Sequence, residues 1–325
     1  MARTRLYRNG VLEKENFPVE DISAYVNDAG VVVWLDLCTA DGEGLDAVEE
    51  EFGLHALAIE DAAHERQRPK LDHYATHLFI SAYSVELEAN TSELTSHEIA
   101  MFVMHSALIT VRKDREFDID QVVARWDAAP ELVKEGAGFL LYGLLDYIVD
   151  GHFAAVQELD EKIDTLEDEL FDDTRDRVRE VQRNSFELRK NVVLLRRFVL
   201  PMREVVNSLM RRGELDVVSD ALMPYYQDVY DHVLRATEWT ESLRDLVSTV
   251  LETNLTIQGN RMNLIMKQVT SWAAIIAVPT AVTGFYGQNL PYPGFGHTSG
   301  FIASSLMIAL GSGGLYWVFR RKDWI

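Results

Sequence analysis

Apolar positions along the chain fall into three regimes. In the first third they come as short runs: residues 31–37 (VVVWLDL), 77–85 (HLFISAYSV), 98–104 (EIAMFVM) and 107–112 (ALITVR). Runs of this length, rich in β-branched and aromatic residues, predict strands. Only His105-Ser106 separates the last two, so they should pair as a hairpin, and Asn9-Gly10 signals another near the start. Residues 45–52 and 54–63 have helical spacing. Strands interspersed with helices predict an α/β sandwich over residues 1–130. Beyond Pro130 the period becomes helical. Residues 138–172 and 175–212 read as two helical arms, with Pro201 a kink or break in the second. A third helix should start near Ser219-Asp220, with Pro224 in its first turns, and run through residue 286. At about 1.5 Å per residue, residues 225–286 would make a rod of roughly 93 Å. A helix of that length must pack on copies of itself or on its neighbours, which predicts a symmetric oligomer.

The third regime is the most informative. Residues 268–319 contain no Asp, Glu, Lys or Arg, and a Pro/Gly-rich centre at 290–300 splits them into 268–286 and 301–319. Each piece suffices for a helix to cross a ~30 Å hydrocarbon core. Arg261 and Lys267 precede the first piece, and Arg320, Arg321 and Lys322 follow the second. Basic residues on both outer flanks place both termini on the cytoplasmic side. The expected layout is a cytoplasmic α/β domain (1–130), a helical hairpin (131–219) and a stalk helix (220–286) whose end is the first span (268–286). A loop (287–300), a second span (301–319) and a basic tail (320–325) complete it.

Charge refines this picture. The chain has 325 residues and carries a net −21, which argues against nucleic acid and suits work with cations. One cysteine excludes a disulfide framework or a paired-cysteine metal site. No basic leader precedes a short apolar run, so no signal peptide is expected. Residues 158–173 hold nine acids and one base, whereas 175–212 hold eleven bases and four acids. Folded at a turn near 173–174, the arms would pair their charges. His73 and His77 adjoin a predicted strand, which disfavours chelation by a helical pair.

Along the long helix, steps of three and four residues pick out Glu252, Thr256, Gly259, Asn263, Met266, Thr270, Ala273, Ala277, Thr280 and Gly284. Such a small and polar face suits either a narrow pore lining or close helix packing. The first span ends in Tyr286-Gly287-Gln288-Asn289. Together with Pro224-Tyr225-Tyr226, residues 228–232 (DVYDH), Arg244-Asp245, residues 263–267 (NLIMK), Pro279-Thr280 and the tail RRKDWI, this resembles the CorA family of divalent cation channels. The family motif is Tyr-Gly-Met-Asn; here Gln288 replaces methionine, a position at which the zinc-transporting ZntB branch also departs.

The resemblance implies a homopentamer in the lipid bilayer of the cytoplasmic membrane, conducting hydrated divalent cations, Mg²⁺ first, without an organic cofactor. Gly287, Gln288 and Asn289 would form the outer selectivity collar, with Gly287 allowing a tight turn. Asn263, Met266, Val269, Thr270, Ala273, Ala277, Thr280 and Gly284 would line the pore, Met266 and Val269 at its apolar constriction. Asp228 and Glu252 match acidic regulatory positions at which cytoplasmic Mg²⁺ shuts the channel, with Glu86 or Glu88 as partner. The alternatives are a Zn²⁺ (or Co²⁺, Ni²⁺) transporter, with His297 the one imidazole near the mouth, and a membrane-anchored scaffold without flux. No nucleophile–base pattern, metal-hydrolase motif or phosphate loop supports an enzyme.

Overall fold

The computed structural model describes the chain except residues 1, 40–44, 65–66, 89–92, 171–174, 212–214 and 289–290. The chain divides into two compact units, Met1–Val250 and Leu251–Ile325.

The first unit is built on a seven-stranded sheet of order β2-β1-β3-β7-β6-β5-β4. Its strands are β1 (Arg3–Arg8), β2 (Val11–Glu15), β3 (Val31–Cys38), β4 (Lys70–His73), β5 (Leu78–Leu87), β6 (Leu94–Val103) and β7 (Ala107–Arg112). Asn9 and Gly10 both take positive φ (51° and 84°), the backbone of the tight turn whose twist matches a hairpin, and β1 pairs β2 antiparallel. The expected β6–β7 hairpin forms with Val103 opposite Leu108. β3 pairs β7 in parallel, which requires a crossover and buries both faces. Every residue of β3 is buried. Asp36 within it is held by the Arg112 guanidinium at 2.6 Å and the Thr110 hydroxyl at 2.8 Å. Burial nevertheless keeps its carboxyl above the usual carboxylate range.

Alternation along the strands feeds two cores. Val31, Val33, Leu35 and Leu37 belong to a core with the short helices α1 (Ser23–Val26), α2 (Asp46–Phe52) and α3 (Ala56–Ala63). Val32 and Trp34 belong to the other core, where Trp34 meets Trp126 edge to face at 5.0 Å. Trp126 lies on α4 (Ile119–Asp127), whose first turn is capped by the Asp118 carboxylate accepting from the Asp120 and Gln121 amides. After the single turn α5 (Pro130–Val133), α6 (Ala137–Glu169) lays Leu141, Leu144, Leu145 and Ile148 into this core. The sandwich is therefore layered on both faces of the sheet. His77 is buried against it, stacked on Tyr74 at 4.9 Å.

α7 (Arg175–Leu209) returns along α6, with Leu166 and Glu169 of α6 near Leu188 and Asn191 of α7. The expected turn at 173–174 lies outside the described residues. The ion pairs seen on α7 include Arg183–Glu187 within the helix and Arg196–Glu241 to α8. Pro201 does not break α7; it forfeits only the amide that would bond the Arg197 carbonyl, and the helix continues. α8 (Met223–Tyr286) begins a few residues later than the Ser219 cap predicts. The Ser219 hydroxyl bonds Glu135 at 2.6 Å instead. The start of α8 is pinned to α6 by the buried Tyr226 hydroxyl, which donates to the Gly138 carbonyl at 2.8 Å.

The second unit contains the end of α8 and α9 (Thr298–Arg321). Among the described residues three helices are long and apolar enough to cross a membrane, but their burial differs. The apolar stretch of α6 is 61% buried, against 6% for α8 and 0% for α9. α6 is thus a core helix, and the other two are the spans. α9 extends past the expected 301–319 at both ends, and its C-terminus is closed by Trp324 stacking on Phe319 at 5.6 Å.

Candidate ion pathway and cation-binding groups

Residues 251–286 of α8 have two distinct sides. One meets α9: Ile275 accepts from the Ser312 hydroxyl at 3.4 Å, Val278 abuts Gly311, and Ser271 is buried. At about 100° per residue, Ser271, Ile275, Val278 and Val282 lie within about 60° of one another. Met266, Val269, Thr270, Ala273, Ala277, Thr280 and Gly284 are centred about 150° away, with Asn263 at the edge of that group. All eight are exposed in the single chain, Met266 and Val269 by 58% and 60%. The structure therefore gathers the candidate lining residues on the side that α9 leaves open.

Two details fix the chemistry of that side. The Thr280 hydroxyl donates to the Ile276 carbonyl at 2.9 Å. Its proton is thereby committed, and the oxygen is left as an acceptor. A hydrated cation presents water hydrogens outward, so an acceptor has the right polarity to hold its shell. At the end of the span the Gly287 amide bonds the Thr283 carbonyl at 2.8 Å. Gly287 sits in the turn that ends α8 but does not take a positive φ. Its glycine is required by crowding, since a Cβ would stand 2.8 Å from the Thr283 oxygen. Gln288 is exposed directly after it. Asn289 lies outside the described residues. In the connecting loop Tyr292 packs on Tyr286 at 4.9 Å and on Phe295 at 5.3 Å.

The first unit holds a separate cluster of side chains with metal-ligand chemistry. Asp146 and Asp150 on α6 and His232 on α8 place ligand atoms within 4.8 Å of one another. Arg125 of α4 bonds both carboxylates, Asp146 at 2.7 Å and Asp150 at 2.8 Å. Burial, reinforced by Asp150, still holds the Asp146 carboxyl above its ordinary range. Burial also pushes the Tyr142 phenol up to about 12, with help from Asp146 and Asp228. Asp228 is exposed and lies 3.9 Å from the His232 imidazole. Asp150 also borders an open cleft of about 410 Å³ with Glu86, Glu116, Asp118 and Glu158. Glu88 follows β5, its amide on the Glu93 carbonyl. Glu252 is exposed on the second unit, its carbonyl accepting from Thr256 at 2.9 Å.

Residues 29–321 match the family described as CorA-like Mg²⁺ transporter protein. The chain belongs to that family. It is 30% identical over 284 residues to the cobalt/magnesium transport protein CorA of Thermotoga maritima, covering 86% of this chain and 80% of that protein. It is 25% identical over 280 residues to the zinc transport protein ZntB of Pectobacterium carotovorum, covering 81% and 79%. The solved CorA magnesium transporter of Methanocaldococcus jannaschii superposes with a TM-score of 0.79 at 21% identity, over 100% of this chain and 99% of that one. The protein is thus a CorA-like divalent cation transporter with a soluble α/β domain, a long helix and membrane-spanning helices, and its family comprises ion transporters rather than enzymes.

Within this CorA-family frame, Asp146, Asp150, His232 and Arg125 were not singled out by the sequence. Their signal was two i,i+4 pairs, Asp146/Asp150 and Asp228/His232, each placing two ligand types on one helix face. What spacing could not supply was the meeting of α4, α6 and α8.

Proposed function

We propose that five copies of the chain assemble with the α9-free side of α8 facing a common axis, forming a passive channel for hydrated divalent cations. Mg²⁺ is the first substrate, and both termini are cytoplasmic. The observation that carries this reading is the side of α8 described above: small and hydroxyl-bearing, turned from α9, with the Thr280 oxygen free to accept. Mg²⁺ surrenders water reluctantly, so a ring of acceptors for its water shell moves it with less cost than a ring of carboxylates that would strip and retain it. Met266 and Val269, exposed and apolar, supply a collar that closes by excluding water. A divalent ion entering down the membrane potential gains roughly 4.6 kcal/mol per 100 mV, so no nucleotide is needed.

The regulatory half of the proposal places cytoplasmic cation at the acidic groups Asp228 and Glu86 or Glu88 of the first unit, and at Glu252 on the second. Without cation these carboxylates repel; with it they are bridged, which biases a two-state equilibrium toward the shut form. A second reading, Zn²⁺ transport, is favoured by the ZntB relative.

The test is purified protein in liposomes, with Mg²⁺, Co²⁺, Ni²⁺ and Zn²⁺ uptake measured with and without a pH gradient and Asn289→Ala as leak control. Mg²⁺ uptake without proton dependence supports the channel. Proton-dependent, Zn²⁺-selective uptake replaces it with the second reading, and silence for all four ions leaves a non-conducting scaffold.

A further inference from the structure

Pro279 interrupts the hydrogen-bond ladder of α8 inside its apolar stretch. It carries no N–H, so the Ile275 carbonyl four residues earlier loses its helical donor. Away from water, an unpaired carbonyl is costly, and neighbouring helices are a recognised source of replacement donors. The Ser312 hydroxyl of α9 points at this carbonyl, 3.4 Å from the Ile275 oxygen. The adjoining Gly311 permits the approach: a Cβ there would stand 2.9 Å from Val278 Cγ1. On α8 itself the Thr280 hydroxyl bonds the Ile276 carbonyl at 2.9 Å and the Thr283 hydroxyl bonds the Pro279 carbonyl at 2.8 Å. Hydroxyls that bond back to a helix in this way favour bending. Three hydroxyls from two helices therefore converge on one interrupted turn.

We infer that Ser312 is a positioning residue for the ion pathway, its hydroxyl standing in for the missing Pro279 amide. It fixes the direction in which α8 leaves Pro279, and with it the placement of Thr280, Gly284 and the Gly287-Gln288 end. Its consequence for flux rests on the channel reading; the bond itself does not. α9 then serves as more than a second anchor, because it holds the pore helix at the turn where that helix is weakest.

A double-substitution cycle on the full chain tests this. Ser312→Ala should lower the melting midpoint in detergent by about 2 °C or more, and Ser312→Thr should restore it. In a Pro279→Ala background, residue 279 regains an amide for Ile275, and Ser312→Ala should then shift nothing. Pro279→Leu supplies the same amide should the alanine variant assemble poorly. In liposomes Ser312→Ala should change maximal uptake at least two-fold, and Ser312→Thr should return it towards the parent value. Equal destabilisation by Ser312→Ala in both backgrounds, or failure of threonine to restore the midpoint, overturns the inference. The melting cycle reads the bond even if the parent protein conducts no ion, so its failure is distinct from failure of the channel reading.

Discussion

Replacing Arg125 with glutamine removes the cation that the fold itself places between Asp146 and Asp150. The two carboxylates then face each other, with ligand atoms no more than 4.8 Å apart. At an effective dielectric constant of about 20 their repulsion is roughly 3.5 kcal/mol. Asp150 is 48% exposed, so screening cuts this to about 1–2 kcal/mol. The Asp146 carboxyl, already raised by burial and by Asp150, would rise further and give back part of the cost by protonating. The expected result in chelator is a melting midpoint lower by about 4 °C. A divalent cation should refill the position: at about 20 times its dissociation constant it returns roughly 1.8 kcal/mol, enough to erase most of the loss. The assay is a melting series of parent and R125Q against Mg²⁺ concentration, with R125Q/D150N as the variant relieved of repulsion. A variant that melts with the parent in chelator, or that gains no more from Mg²⁺ than the parent does, would refute the view of these side chains as a cation position.

Three further outcomes are expected. Thr280→Val removes the acceptor oxygen while the backbone amide of residue 280 still bonds Ile276; losing about 0.5–1.5 kcal/mol should slow liposome uptake about 2–10-fold at unchanged melting midpoint. Gly287→Ala forces a methyl group against the Thr283 carbonyl, displacing the chain just before Gln288 and Asn289, and uptake should fall at least ten-fold, a barrier increase of about 1.4 kcal/mol. His77 is buried beside His55 and titrates at about 4, mainly through burial, so the unfolded chain binds more protons between about pH 6.5 and 4. Its contribution is therefore intact above pH 6.5 and lost as pH falls through that window, by up to about 1.4 kcal/mol per pH unit. His77→Phe should flatten this acid limb in urea titrations, and an unchanged slope would show that His77 is solvated.

The elements legible in the sequence are those with a strong local cause. Asn9-Gly10 specifies its turn through backbone freedom, residues 31–37 specify a buried strand by unbroken hydrophobicity, and residues 268–319 specify two spans by the absence of charge. β4 escaped because Lys70–His73 is a short polar edge whose pairing depends on β5. α4 carried readable signals, the Asp118 cap and Ile119, Val122, Val123 and Trp126 at helical spacing, but no run long enough to stand out from the strands before it. The side of α8 turned from α9 was visible in its spacing, yet small residues suit packing as well as a pore, and spacing alone does not separate the two. The reason for Gly287 was hidden altogether, because crowding against Thr283 exists only once the helix end has formed.

The parallel contact of β3 with β7 carries a cost in time. β1, β2 and β3 are complete once residue 38 has left the ribosome, but the far edge of β3 gains its neighbour only when residues 107–112 emerge. At usual synthesis rates that is a wait of roughly 4–14 s with an apolar ribbon open on one side. Such an edge invites mispairing with other nascent chains, most of all when several copies are translated side by side at one membrane. Chaperone dependence during biosynthesis should therefore track this central seam rather than the spans, and variants that slow translation between β3 and β7 should aggregate before any helix reaches lipid.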